Sequence, residues 1–341
     1  MSTFDTISPW KDRRRVALDG DGVVHGIHSA TDTDKWENGT SVNWTTYESS
    51  GWNCMVQTPK FYYKQYKDSD GWHFSVSPVV QTGFTLHPVC VKTDGTVMPY
   101  WYISAFEGWK DGDDKLRSLP AKQPTTSLTR TQCEAYSEAN GTGYKNMDFN
   151  VLWAEQLLWV VEMAELNSQS IYRGIVDLES GTVNHSQNTG HTVSLGNASG
   201  EVEVVADNPY TGDESTMVKP FSFRGHENFY GNVWKWISGW DKPDNGTNTI
   251  MGTDYTVEAD YTSGYGTDFE TTTPGFVPCK LTGGSESTFL CDYMHRAAVT
   301  NRAVLFSGSW CSGGRAGGFY LSLGAPASHV SRDGGGRAAF L

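Results

Sequence analysis

The feature that most limits what this chain can become is residues 307–341, SGSWCSGGRAGGFYLSLGAPASHVSRDGGGRAAFL. With nine glycines, six serines and no Lys, Glu, Gln, Asn or Thr, it lacks the makings of a solvated helix or an amphipathic strand. Yet Trp310, Phe319, Tyr320, Leu321, Leu323, Phe340 and Leu341 run through it, and disordered segments are poor in such residues. A folded surface fits: an apolar frame with small or polar positions between its members. That is the composition of a binding face.

The 341 residues can bury one large core or two modest ones. Thirteen Trp, sixteen Tyr and fifteen Phe bring large amphipathic rings that serve cores and contact surfaces alike. A net charge of −13 argues against nucleic acid as a partner, because phosphate binding needs a basic footprint. The acidity serves solubility. Cys54, Cys90, Cys133, Cys279, Cys291 and Cys311 show no CxxC or CxxxC spacing, so neither zinc nor a disulfide framework is indicated. Cys279 and Cys291 could pair across a loop, although nothing else in the sequence demands it. Arg13-Arg14-Arg15 is followed by no apolar run, so no secretory signal is expected. No window reaches ~18 apolar residues, so no membrane insertion is expected either. Synthesis and folding in the cytoplasm follow, and no cofactor is called for.

Along the chain, residues 1–85 alternate β-formers with the turn signals Asp19-Gly20-Asp21-Gly22, Asn38-Gly39 and Asp70-Gly71, which predicts a small β-rich N-terminal domain for attachment or oligomerisation. Asp19-Gly-Asp-Gly looks like the start of a calcium loop but lacks its later acidic ligands, so a hairpin turn is expected. A second domain, 86–341, opens with β-like segments and then two helices. The first covers about 130–139, stopped by Asn140-Gly141. The second covers about 151–166, with Trp153, Leu157, Val160, Val161 and Ala164 on one face. Glu155, Glu162 and Glu165 fall elsewhere on the wheel, which predicts a solvated face rather than paired catalytic carboxylates. Residues 181–216 look like an exposed excursion, and His185 and His191 within it are not read as metal ligands. Trp234 and Trp236 alternate as in a buried strand. Residues 241–278 look like a loop-rich insertion whose Asp254, Asp260, Tyr255, Tyr261 and Tyr265 are solvated or border the binding face.

Phe149-Asn-Val-Leu-Trp-Ala-Glu-Gln-Leu-Leu-Trp, Gly231-Asn-Val-Trp-Lys-Trp, Ser307-Gly-Ser-Trp and Gly335-Gly-Arg-Ala resemble, in order and spacing, the formylglycine-generating-enzyme branch of the C-type lectin fold. Gly-Asn-Val-Trp-Lys-Trp is the most specific of them. A closer resemblance is to the variable proteins of diversity-generating retroelements, phage tropism determinants among them, which use this fold and end in a segment of this character. Arg13-Arg14-Arg15-Val, Thr58-Pro-Lys-Phe-Tyr-Tyr-Lys and Ile103-Ser-Ala-Phe-Glu-Gly look like phage tail proteins that carry such domains.

The resemblance implies an α+β chain: a C-type lectin fold of the formylglycine-generating-enzyme-like subtype, preceded by the β-rich N-terminal domain. It also implies a terminal repeat in which a fixed frame surrounds positions randomised at the adenines of Asn codons. Trp310, Phe319, Leu321, Leu323, Pro326 and Arg337 look like that frame, supported by Trp234 and Trp236. Ser309, Cys311, Ser312, Arg315, Tyr320, Ser322, Gly324, Ser328, His329, Val330, Arg332 and Asp333 would be the changeable, ligand-binding positions; each residue type can arise from an Asn codon, and Trp cannot. The implied function is a virion or tail receptor-binding protein, as a trimer by resemblance to tail proteins, whose partner is a host-cell surface protein or glycan.

Two alternatives stand beside it. An oxidoreductase like the formylglycine-generating enzyme needs two nearby cysteines for copper, and this stretch offers Cys311 alone. A calcium-dependent lectin needs a Glu-Pro-Asn or Gln-Pro-Asp loop, to which Lys242-Pro-Asp-Asn is similar only in part.

Overall fold

Arg14–Leu18 forms a strand in which Val16, Ala17 and Leu18 are fully buried, and Asp19 then turns the chain. The Asp19 carboxylate accepts from the backbone N–H groups of Asp21 and Val23, both at 2.9 Å, closing a hairpin onto Val24–Ser29. The Asp-Gly-Asp-Gly run is thus a turn, as expected. The computed structural model describes residues 2–178, 185–207, 216–244, 246–256, 263–290 and 292–341. Strands predominate in it and helices are few.

The hairpin belongs to a seven-stranded sheet with the order Tyr144–Asn146, Ala338–Phe340, Tyr100–Ser104, Asn53–Pro59, Arg14–Leu18, Val24–Ser29, Asp32–Trp36. Ala338–Phe340 is interior to it, pairing with Tyr144–Asn146 on one side and Tyr100–Ser104 on the other. Asn53–Pro59 pairs with Tyr100–Ser104 from Met55↔Ser104 to Pro59↔Tyr100. Strands from both sides of residue 85 therefore share this one sheet.

The second large sheet has eight strands among the described residues. Its order is Thr253–Thr256, Thr247–Ile250, Trp234–Lys242, Arg302–Phe306, Leu321–Ala325, Tyr293–Arg296, Gly264–Tyr265, with Gly334–Gly335 parallel to Trp234–Lys242. The segment 241–278, expected to be loop-rich, supplies three of these strands. Its Thr and Tyr residues suit a pleated, half-buried surface, which the turn residues between them had hidden. Asp260, Tyr261 and Cys291 lie outside the described residues.

Both expected helices form. Arg130–Glu138 is opened by a capping box between Thr129 and Gln132. Asp148 caps Phe149–Met163 by accepting from the Val151 N–H at 3.0 Å, and Ala164, at φ 52°, ends that helix. The solvated face expected for the longer helix is not there: every residue from Val151 to Val160 is buried. Glu155 accepts from Arg13 at 2.6 Å and lies 2.9 Å from His226 Nδ1, while Glu162 pairs with Arg224. A helix enclosed all round can carry carboxylates only where other segments bring cations to meet them. Trp159 projects into a cage of Phe221, Phe223, Phe229 and Tyr230, with centroids 5.2–6.2 Å away.

The expected exposed excursion is also corrected over its described part. Gln187, Thr189 and Thr192 are buried, because the Glu227 carboxylate takes the N–H groups of Gly190 and Thr192, each at 2.7 Å. His191 Nε2 lies 3.2 Å from Asp207, and among the described residues no three His, Cys, Asp or Glu side chains gather as a metal group. No helix among the described residues is long and apolar enough to cross a membrane.

Candidate binding face

Residues 307–341 are laced into both sheets. Leu321–Ala325 lies between Arg302–Phe306 and Tyr293–Arg296, Gly334–Gly335 runs beside Trp234–Lys242, and Ala338–Phe340 enters the other sheet. Between these strands the backbone is tied at short intervals. The Trp310 N–H donates to the Asn232 carbonyl (3.0 Å) and its carbonyl accepts from Leu178 (2.8 Å); Trp234 donates to Asp333 (2.8 Å). The Asp292 carboxylate holds the Phe319 N–H at 2.7 Å, and the Gln156 amide donates to the Gly318 carbonyl at 2.8 Å. Two glycines are required by this lacing. Gly308 sits at φ 77°, and a Cβ on Gly317 would lie 2.2 Å from the Asp292 carboxylate.

Beneath the segment lies a buried ionic layer. Lys235 Nζ is 2.8 Å from Glu107, donates to the Gly231 carbonyl at 2.9 Å and approaches Ser307 Oγ at 3.4 Å. Burial pulls its pKa down to about 8 against the opposing pull of Glu107. Arg337 donates to the carbonyls of Ser104 (2.8 Å) and Glu227 (2.7 Å), and burial lowers its pKa to about 10. Of the residues expected to form the frame, Trp236, Trp310, Phe319, Leu321, Leu323 and Arg337 are buried. Trp234 is only half-buried, and its ring meets Tyr320 edge-on at 4.6 Å.

The twelve expected ligand positions divide three ways. Arg315, Ser328, His329, Val330 and Arg332 are exposed. Cys311, Ser312, Ser322, Gly324 and Asp333 are half-buried. Ser309 and Tyr320 are inside, contrary to the expectation that they are displayed. The Ser309 hydroxyl donates to Asp333 Oδ2 at 2.9 Å, and Tyr320, 7 % exposed, is covered by Trp234 and Tyr293. On Leu321–Ala325 the division follows the pleat: Leu321 and Leu323 point inward, Ser322 and Gly324 outward.

Two arginines on this face rest on aromatic rings. Arg315 lies 5.0 Å over Tyr293 and Arg332 lies 5.0 Å over Trp310. Tyr265 meets Tyr293 edge-on at 5.2 Å and donates to Glu286 at 2.8 Å; burial and that carboxylate push its pKa up to about 12. Burial also raises the Tyr320 phenol. His295 stands 3.4 Å from Ser322 Oγ and directly over Gly324, where a Cβ would meet its ring at 2.3 Å. Burial first, then Arg315, lowers the His295 pKa. Tyr293 and His295 are members that reading the terminal stretch alone misses. Their signal is the alternation in Tyr-Met-His-Arg, which points them outward while Met294 and Arg296 are buried. Tyr265 does border the face. The Lys242-Pro-Asp-Asn run contributes differently: Lys242 donates to the carbonyls of Ala297 and Val299 at 2.9 and 2.8 Å, and Asp244 accepts from the Gly246 N–H at 2.8 Å. Taken together, the face offers stacked guanidinium groups, aromatic edges and small polar side chains on a fixed backbone.

No protein-family model matches the chain, and no curated protein matches it. Among solved structures, the U1, I1 and M1 variants of a major tropism determinant are similar to it, at 11, 12 and 12 % sequence identity. Each alignment covers 96 % of this chain and 71 % of the determinant, with a TM-score of 0.34.

Proposed function

We propose that this chain is a diversified ligand-binding protein, a phage tail or virion component that displays replaceable side chains to a macromolecule on the host-cell surface. The observation that carries the reading is the division within 307–341: a buried frame tied into both sheets, and five exposed residues, two of them arginines stacked on rings. The sequence resemblance supplies the class, namely a variable protein on a C-type lectin-like scaffold of the formylglycine-generating-enzyme subtype. On such a scaffold, changing the exposed positions alters affinity and partner without unfolding the domain. Arg315, His329 and Arg332 supply most of the binding energy, since Arg and aromatic groups dominate hot spots. Tyr320 supports Trp234 from within. A protein or glycan partner suits this chemistry, and copies in a trimer or on a virion strengthen weak single contacts.

The test is the triple variant S328A/H329A/R332A. Its melting temperature should stay within about 2 °C of the parent while binding to susceptible host cells falls at least about tenfold. Unfolding of the triple variant, or unchanged binding, would overturn the reading. Sequencing the gene in sibling clones offers a second check, because differences should gather at residues 309–333 and spare Trp310, Phe319, Leu321 and Leu323.

A further inference from the structure

Tyr293–Arg296 runs parallel to Leu321–Ala325, with His295 opposite Ser322 and Arg296 opposite Leu323. Met294 and Arg296 are buried, so His295 lies on the same side of the sheet as Ser322 and Gly324, and it is exposed there. Its ring leans along the neighbouring strand. A Cβ built on Gly324 would meet His295 Cε1 and Nδ1, both at 2.3 Å, and the next nearest atom is His295 Cγ at 3.6 Å. The imidazole therefore occupies the space that any side chain at 324 needs.

Which of the two groups gives way depends on how each is held. Leu321–Ala325 has a strand on either side, Arg302–Phe306 and Tyr293–Arg296, so its backbone is fixed. Gly324 has no positive φ, and an L residue fits that backbone without strain. The His295 ring is anchored by far less: Nδ1 stands 3.4 Å from Ser322 Oγ, at the long end of hydrogen bonding. Side chains rest in staggered wells, so a ring displaced by a Cβ moves to another well rather than by a fraction of an ångström. Gly317 shows the opposite case. The group in the way there is the Asp292 carboxylate, which is buried and holds the Phe319 N–H at 2.7 Å. A side chain at 317 breaks the lacing of the segment, whereas one at 324 lifts a ring.

We propose that His295 is a ligand-contacting residue of the C-terminal face and that position 324 sets its reach: glycine lets the imidazole lie along the strand, and any larger residue swings it outward toward the partner. This rests on the reading of that face as the binding surface. Under that reading His295, outside 307–341, stays the same while 324 is exchanged. One replacement at 324 then changes two side chains on the face, its own and the imidazole beside it.

The experiment uses the full chain with Gly324→Ala, His295→Ala and both together. The first readout needs no partner: the NMR titration of the His295 Cε1 proton, identified by its loss in His295→Ala. Burial first, then Arg315, holds the pKa of this ring below 6.5. Gly324→Ala should raise it toward 6.5, because the displaced ring leaves its cover. The second readout is binding to susceptible host cells. Gly324→Ala should change it at least about threefold, but less than about 1.5-fold when the same exchange is made on His295→Ala. An unchanged titration refutes the proposal, and so does an equal effect of Gly324→Ala on binding with and without His295. Failure of the face itself looks different: S328A/H329A/R332A then keeps full binding while the titration still shifts, which removes the ligand contact along with the reading it rests on.

Discussion

Arginines do opposite work in two regions of this molecule. In the interior, Arg13 is paired with Glu155, and Arg15, Arg224 and Arg337 are each fixed by several directed partners: Arg15 alone donates to Gly225, Thr33 and Thr192. On the C-terminal face, Arg315 and Arg332 lie over rings and face no carboxylate partner among the described residues. A buried charge with directed partners is specific to one geometry, and losing one partner strands the other. A guanidinium stacked in solvent contributes little and can be exchanged. The same side chain thus acts as a fixed strut inside and as a ring-stacked surface group outside.

The hardest test of this contrast is Glu155→Gln, which removes the charge facing Arg13 and His226 and should cost about 3–5 kcal/mol in urea denaturation. A cost below about 1 kcal/mol would remove the distinction. Trp310→Ala should cost a similar ~3–5 kcal/mol, because it empties a fully buried site beneath Arg332. Acid probes the interior in another way. Burial lowers the pKa of His87 to about 3 and that of His28 to about 4. Between those values and the ordinary 6.5 the unfolded chain takes up a proton that the folded chain refuses, so stability is full above pH 6.5 and falls as pH drops. Each histidine should account for about 2 kcal/mol at pH 5. His87→Gln should flatten the loss between pH 7 and pH 5 by that amount, and an unchanged slope would show that His87 charges freely in the folded state. The smallest effect belongs to the face: Arg332→Ala and Arg315→Ala should each change stability by less than about 1 kcal/mol. A larger loss would make these arginines struts as well.

What could be read from the sequence was local. Both long helices were legible because spacing and end signals sit within one segment, and Leu321, Leu323 and Trp310 could be placed as frame from their own neighbourhood. Glu155 could not, since a helical wheel does not reveal that Arg13, 142 residues earlier, comes to meet it. Ser309 and Tyr320 look displayable in a stretch of small residues, but Asp333 and Trp234 cover them from other elements. Tyr293 and His295 were missed because they lie upstream of that stretch and reach the face only through the parallel pairing His295↔Ser322. That strands from both sides of residue 85 share one sheet was hidden for the same reason: sheet neighbours are set by register, which turn signals along a chain do not report.

The interior position of Ala338–Phe340 bears on how the molecule is made. Until those residues leave the ribosome, Tyr144–Asn146 and Tyr100–Ser104 have a gap between them and the first sheet cannot close. A stop codon or frameshift introduced between residues 307 and 337 would leave that gap unfilled, whereas an in-frame exchange of one side chain would not. Folding itself would then sort such products, since chains lacking the closing strand would be left to proteolysis.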